Sequence, residues 1–411
     1  MARAARPPPP PRQAGDVTEA IGPEVRVEVV TSFEALDRHA RAYDALTDRM
    51  DGVLFPVFRR EWIREGRRRY LQDGASLFFL FAWRGERLIG VAPLVRVPRF
   101  LGVTTVHWLG FWGQHSGTTT LENFTGELLI PDPSDAGDCI RAWRDHLTGV
   151  ARHDWDLLDL RYLCGILPSG DALISAFPEA DAGDEEMPGY VVELDGGMEA
   201  LYHAFGKNAA RNLRRSRHRL EEVGHPFSFD AVPTVDAALF DELARVHTGR
   251  QQQLAGKGRS ARDLPFADPV SVPLLRTILA DEGARGRLVI HTLRIDGRLA
   301  AFGLLLRNGP GAVYWIIGFD DEFQQLSPSR LLFEELYRRS VEDGGVKRIN
   351  LLLGHTRTKE ELSTLRYSAR RIRLANRWSS RSRVRRAILE ALKRARGALF
   401  ARGRSHRVPS P

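Results

Sequence analysis

Two cysteines in 411 residues, Cys139 and Cys164, are too few for a disulfide framework or an all-cysteine zinc site. Such scarcity fits a reducing, cytoplasmic interior. No uncharged stretch approaches the roughly 20 residues that cross a bilayer, and the apolar runs Ser76–Trp83 and Leu299–Leu306 are strand-sized. Met1–Asp16 passes through Pro7–Pro11 without an apolar block, which argues against a secretory signal. His107 and His115 lack the Cys or carboxylate neighbours of a zinc site, so no metal is expected.

What is present is an ordinary globular balance, 43% hydrophobic and 27% charged, in a chain long enough for two or three domains. Charge is unevenly placed. Arg370–Pro411 holds 13 Arg and one Lys against Glu390 alone, a net +13. With +8 overall, residues 1–369 are left with a net −5. The high pI therefore belongs to a basic tail suited to polyanions, whether nucleic acid or an anionic lipid surface, or serving solubility alone.

The pattern along the chain predicts an α/β (α+β) protein. Residues 1–23 read as a disordered, Pro-rich leader. Strand Val25–Val30 precedes helices over Phe33–Thr47 and Phe58–Leu71, then the hairpin strands Ser76–Trp83 and Arg87–Val95. Strands Val103–Gly110 and Glu127–Ile130, helix Ala136–Ala151 and strand Trp155–Leu160 complete a first unit. The order returns with strands Arg287–Leu293, Arg298–Leu306 and Val313–Phe319, helix Ser329–Glu342 and strand Lys347–Leu352. Two copies of one domain are expected, over 24–189 and 190–378, with a basic amphipathic tail over 379–411. The polar stretch Glu179–Pro188 reads as their connector. Beyond it, Met198–Val223 is a long helical run whose apolar Leu201, Phe205, Ala209, Leu213 and Leu220 leave a basic face outside.

Gly206-Lys207-Asn208-Ala209-Ala210-Arg211-Asn212-Leu213-Arg214-Arg215 resembles the basic "K-x-x-R-x-N-[IL]-R" helix of CelD-like and Fem-type proteins, which are double-GNAT acyltransferases also described as BioF-like acetyltransferases. Gly318-Phe319-Asp320 with Ser327-Pro328-Ser329-Arg330-Leu331-Leu332 is similar to their "G-[FY]-D…SP-G-x-L-L" segment. Phe55–Trp62 and Trp155–Arg161 resemble two further family segments, so that the likeness spans about residues 25–375. It implies tandem GNAT-like domains, each a mixed twisted sheet flanked by helices. It also implies acyl transfer from acetyl-CoA or another acyl-CoA, or from aminoacyl-tRNA as in the Fem branch.

Under that resemblance, Asp320, Ser327, Ser329 and Arg330 form the donor turn. The start of a helix offers unpaired N–H groups to a pyrophosphate, and Ser327 would cap that helix. The same Ser-Pro pair also starts helices that bind nothing. Only the second copy is expected to hold a donor, because the first has no Ser-Pro-x-x-Leu-Leu turn. His355, in the loop after Lys347–Leu352, has the side chain suited to proton transfer near neutrality, and Tyr367 is a candidate donor to the leaving thiolate. Where related sequences have an acid, this one has Asn350. Lys207, Arg211, Arg214 and Lys359 are candidates to hold an anionic substrate, or RNA if the donor is charged tRNA. Tyr314 and Trp315 line either an acyl tunnel or the core. His107, His115 and Trp108–Trp112 would shape an acceptor cleft. The expected acceptor is a small molecule, polysaccharide or envelope component. The tail segment Val384–Phe400 has the spacing of a helix that lies on an anionic membrane or docks on the body.

Overall fold

A computed structural model of the protein describes residues 24–50, 52, 58–71, 74–114, 126–166, 168–222, 224–256, 265–385 and 387. The Pro-rich leader, His115 and the tail beyond 387 lie outside the described residues.

The first unit comprises β1 (Val25–Val30), α1 (Phe33–Arg38), α2 (Ala40–Thr47), α3 (Arg60–Tyr70), β2 (Ser76–Arg84), β3 (Arg87–Phe100), β4 (Thr105–Phe111), α4 (Ala136–Thr148), β5 (Leu157–Cys164) and α5 (Pro168–Ala176). There follow β6 (Asp181–Glu193), α6 (Gly197–Glu222), β7 (Phe227–Val232), α7 (Ala237–Gly256), α8 (Ser271–Ala284), β8 (Leu288–Ile295), β9 (Arg298–Asn308), β10 (Gly311–Phe319), α9 (Pro328–Asp343), β11 (Arg348–Leu353), α10 (Arg357–Glu361) and β12 (Leu365–Ala375).

All twelve strands form one mixed sheet in the order β1-β2-β3-β4-β5-β12-β6-β11-β10-β9-β8-β7. In each half, four antiparallel strands lead through a helix to a fifth that lies parallel to the fourth. The halves then exchange strands. β6, which follows the first unit, pairs with β11, and β12, which follows the second, pairs with β5 and with β6. Arg371 secures the exchange with two 2.7 Å hydrogen bonds to the Asp159 carboxylate of β5.

Three local expectations change. The helical run over Phe33–Thr47 breaks at His39, whose Nε2 lies 2.7 Å from Glu28. Glu179–Pro188 is largely the first half of β6, because β12 supplies it with a partner. Glu127–Ile130 makes no strand of its own. Beyond the pairs Trp108–Leu157 and Leu109–Leu158, β4 and β5 part, and residues 126–130 fill the gap through single bridges of Gly126 to Leu163 and Leu129 to Val91.

The largest core lies between the units. It joins Tyr43, Trp62, Phe79, Phe81 and Trp112 to Phe240, Leu275, Phe302, Trp315 and Leu352. At its edge α3 meets α8, where Arg59 is ion-paired with Glu282 at 2.7 Å and Arg69 with Asp268 at 2.9 Å.

His291 of β8 is also buried, and burial, reinforced by Arg339, pushes its pKa down to about 4. The folded state therefore disfavours its protonation relative to the unfolded chain. That stabilising contribution is complete above pH 6.5 and is lost as pH falls toward 4, by up to about 3 kcal/mol. Urea midpoints should fall between pH 7.5 and 4.5, and His291→Leu should reduce that fall.

Among the described residues, no helix is long and apolar enough to cross a membrane, and no group of three His, Cys, Asp or Glu side chains is placed to hold a metal.

Candidate active site at the parting of β10 and β11

β10 and β11 pair in parallel only over Gly311–Val313 and Arg348–Asn350. β10 then shifts register against β9 between Tyr314 and Ile317, and β11 shifts against β6 between Asn350 and Leu353. Past Val313, no ladder pair joins β10 to β11 among the described residues. Such an opening can receive an extended, amide-bearing ligand by strand addition.

The β11 side of the opening is built around Asn350, which is fully buried. Its Oδ1 accepts hydrogen bonds from the Leu352 backbone N–H at 2.8 Å and from the Tyr367 hydroxyl at 3.1 Å. Leu352 takes a left-handed φ of 62°, a conformation costly for a branched residue and held here by that side-chain bond. Lys359, on α10, returns its Nζ to the Leu353 carbonyl at 3.0 Å. An acid at position 350 would present the same acceptor but would place an uncompensated charge in this interior; the amide does not.

His355 follows the bulge. Its ring is 61% exposed, with Nδ1 3.0 Å from the Tyr190 hydroxyl and Nε2 3.8 Å from Glu360. Tyr367 is buried beneath, and burial, with Cys164 beside it, pushes its pKa well above the ordinary tyrosine value. The Cys164 thiol is likewise pushed up by burial and by Glu127.

The donor-turn residues make mostly internal contacts. Asp320 accepts from the Glu322 N–H at 3.2 Å, capping a 3-10 turn over Asp321–Leu326, and pairs with Arg245 at 3.0 Å and Arg298 at 3.6 Å. Ser327 occupies the N-cap position of α9 with φ 54°, and its side chain makes no capping bond, since the left-handed backbone turns it away. Pro328 opens the helix as its fixed φ favours. Ser329 is half-buried beside it. Arg330 pairs with Glu361 of α10 at 2.7 Å, linking the start of α9 to the rim of the opening.

Gly206, with φ 80° and ψ 162°, divides α6, so a fresh helix begins at Lys207. Leu213 and Leu220 of this helix are buried, and Arg217 donates to Glu334 of α9 at 2.9 Å, as does Tyr202. Lys207, Arg211 and Arg214 share one exposed stripe at i, i+4 and i+7, and among the described residues no carboxylate pairs with them. Tyr314 and Trp315 are buried in separate cores on opposite faces of the sheet. His107 lies instead at the far end of β4, near Asp156 and Arg385.

Residues 207–360 match a family described as Acetyltransferase (GNAT) domain. That stretch of the second half is similar to a GNAT acetyltransferase domain. The protein is therefore an enzyme of that acyl-transferring class. Its fold is similar to the crystal structure of FemX, with a TM-score of 0.56, 9% identity, and 82% of this chain and 96% of that one covered. Weaker likenesses include the C-terminal DUF2156 domain of a putative lysylphosphatidylglycerol synthetase from Agrobacterium fabrum, with a TM-score of 0.47, 14% identity, and 87% and 96% covered. Another is a tandem GNAT protein from the clavulanic acid biosynthesis pathway, with a TM-score of 0.44, 14% identity, and 85% and 99% covered. No curated protein matches the sequence.

Against this GNAT frame, sequence reasoning missed Tyr190 and Gly189 of β6, both hidden in a stretch read as connector and short strand. It also missed β12 as a strand. The alternation of buried Tyr367 and Ala369 was the available signal, masked by arginines at 366, 370, 371 and 373.

Proposed function

We propose that the protein transfers an acyl group, acetyl in the simplest case, from acyl-CoA to an amine or hydroxyl of a small-molecule, polysaccharide or envelope acceptor. This reading places it with the CelD-like and BioF-like acetyltransferases. The observation that carries it is the parting of β10 and β11. The pantetheine arm of CoA is extended and bears amides, which suits the opening where β10 and β11 part. The corresponding gap of the first unit is filled by residues 126–130, which favours a single donor site.

In this reading the acceptor nitrogen or oxygen attacks the thioester carbonyl carbon. The new C–N or C–O bond forms, the C–S bond breaks, and the acceptor's proton passes to His355 Nε2. Tyr190, at Nδ1, fixes the ring. Tyr367 would protonate the departing thiolate only by releasing its bond to Asn350. Calorimetry should give micromolar binding of acetyl-CoA. His355→Ala should lower thiol release in an acceptor screen by about 100-fold or more while leaving donor affinity within about twofold. Failure of acetyl-CoA to bind would sink the acyl-CoA reading.

The unpaired stripe Lys207, Arg211 and Arg214 favours a second reading, in which charged tRNA is the donor. It requires salt-sensitive tRNA binding. Replacing all three by Glu should then flatten the slope of log K against log salt by about 2 or more.

A further inference from the structure

Eight large hydrophobic side chains are exposed among the described residues, and five gather at one end of the first unit: Phe100, Leu101, Val103, Val150 and Val384. The pairing places them together. Phe100 pairs with Thr105 at the tip of the β3–β4 hairpin, and β5 begins beside β4 with Leu157 against Trp108. β12 ends with Ala375 against that same Leu157. The hairpin tip, the α4–β5 connection bearing Val150 and the chain leaving β12 thus emerge from one end of the sheet.

The segment after β12 is fastened across that end. The Asn376 side-chain amide donates to the Arg152 and Trp155 carbonyls at 2.8 and 2.7 Å. Ser382 and Arg385 each donate to Asp156 at 2.6 Å, and Arg385 lies 3.4 Å from His107, two pairs behind the hairpin tip. Docking through Ser382 and Arg385 leaves Val384 60% exposed, together with Arg381 and Arg383. Arg99 is exposed beside the tip, over the Trp108 ring at 4.9 Å, and burial followed by the charge of Arg96 pushes the His107 pKa down. Asp154 is an exposed carboxylate on the nearby connection. Arg96, Arg99, Arg381 and Arg383 outnumber it here.

We propose that this end of the first unit is a docking surface for an anionic lipid bilayer. Phe100, Leu101 and Val103 enter the headgroup region while Arg96, Arg99, Arg381 and Arg383 meet lipid phosphates. A hairpin tip of Phe, Leu, Gly and Val preceded by Arg96 and Arg99 has the apolar and cationic parts that interfacial binding uses together, and neither part anchors stably alone. A nucleic-acid surface would account for the arginines and leave the three-residue apolar tip without a partner.

The test uses the full chain with phosphatidylcholine vesicles and with vesicles containing about 30 mol% phosphatidylglycerol. Cys139 and Cys164 are buried, so an environment-sensitive fluorophore can be placed through Val103→Cys or, as a control on the second half, Val270→Cys. The fluorophore at 103 should blue-shift on the anionic vesicles alone, and the one at 270 should not respond. Phe100→Ser, Leu101→Ser and Val103→Ser combined leave every arginine in place and should lower partitioning by about tenfold. The proposal fails if the triple variant sediments with anionic vesicles like the parent. It also fails if the fluorophore at 103 is unmoved while the protein sediments, or if the chain binds tRNA and ignores vesicles.

Discussion

Arg59→Ala should lower the unfolding free energy by about 3–5 kcal/mol at neutral pH, because it strands a buried carboxylate. Glu282 is 1% exposed and Arg59 is 4% exposed, so neither charge has water to fall back on. Burial, with Asp281 adding to it, pushes the Glu282 carboxyl up to about 8 against the opposing charge of Arg285, and the Arg59 guanidinium lies 2.7 Å away. With Arg59 gone, the folded-state pKa stands further above the unfolded value. Stability in the variant is then retained at acid pH and lost as pH rises from about 4.5 through 8. Denaturant titrations of parent and variant at pH 5 and pH 8.5 test this: the penalty should be clearly larger at the higher pH. An equal penalty at both would mean that Glu282 is not the group left behind. The pair joins α3 of one unit to α8 of the other, so the same variant should loosen the contact between these helices before the shared sheet melts.

Gly189→Ala should be a strongly damaging single-methyl addition at the candidate site. Gly189 pairs with both Leu353 of β11 and Tyr367 of β12, and a Cβ there would overlap the Tyr367 ring. The ring has no free direction, since its hydroxyl is bound to Asn350 and its faces are packed in the core. Displacing it leaves the Asn350 oxygen short of a partner and releases one restraint on the Leu352 bulge. Overpacking and the lost hydrogen bond together should cost about 3 kcal/mol. Acyl transfer should fall with it, by more than in Tyr367→Phe, which removes the hydroxyl and keeps the ring. If Gly189→Ala unfolds at the parent's denaturant midpoint, the packing described around Tyr367 is wrong.

Much of the frame is legible in the sequence. β1 falls on the alternating Val25–Val30, and the hairpins at Gly85 and Gly297 follow turn residues that supply positive φ. Periodicity reports which face of an element is buried and says nothing of which strand lies beside it. The exchange of β6 and β12 was therefore invisible, and residues 179–188 were read as a connector because their partner lies nearly 200 residues away. The site was legible in the same uneven way. Motif order singles out the segment with His355 and Lys359 as candidates. The roles of Arg330 and Asp320 depend on carboxylates and arginines distant in sequence, on Glu361 in one case and on Arg245 and Arg298 in the other.

The exchanged strands also set the order in which the nascent chain can finish folding. β5 emerges from the ribosome with one edge unpaired and must wait for β12, some 200 residues of synthesis later, before that edge is covered. During that interval the first half presents a strand edge rich in leucine to whatever chain is nearby. A fragment ending near residue 193 would keep that edge permanently, and β6 would lack both of its neighbours. Such a fragment should aggregate, while the same fragment made together with residues 194–411 should recover a soluble pair by recruiting β12 in trans.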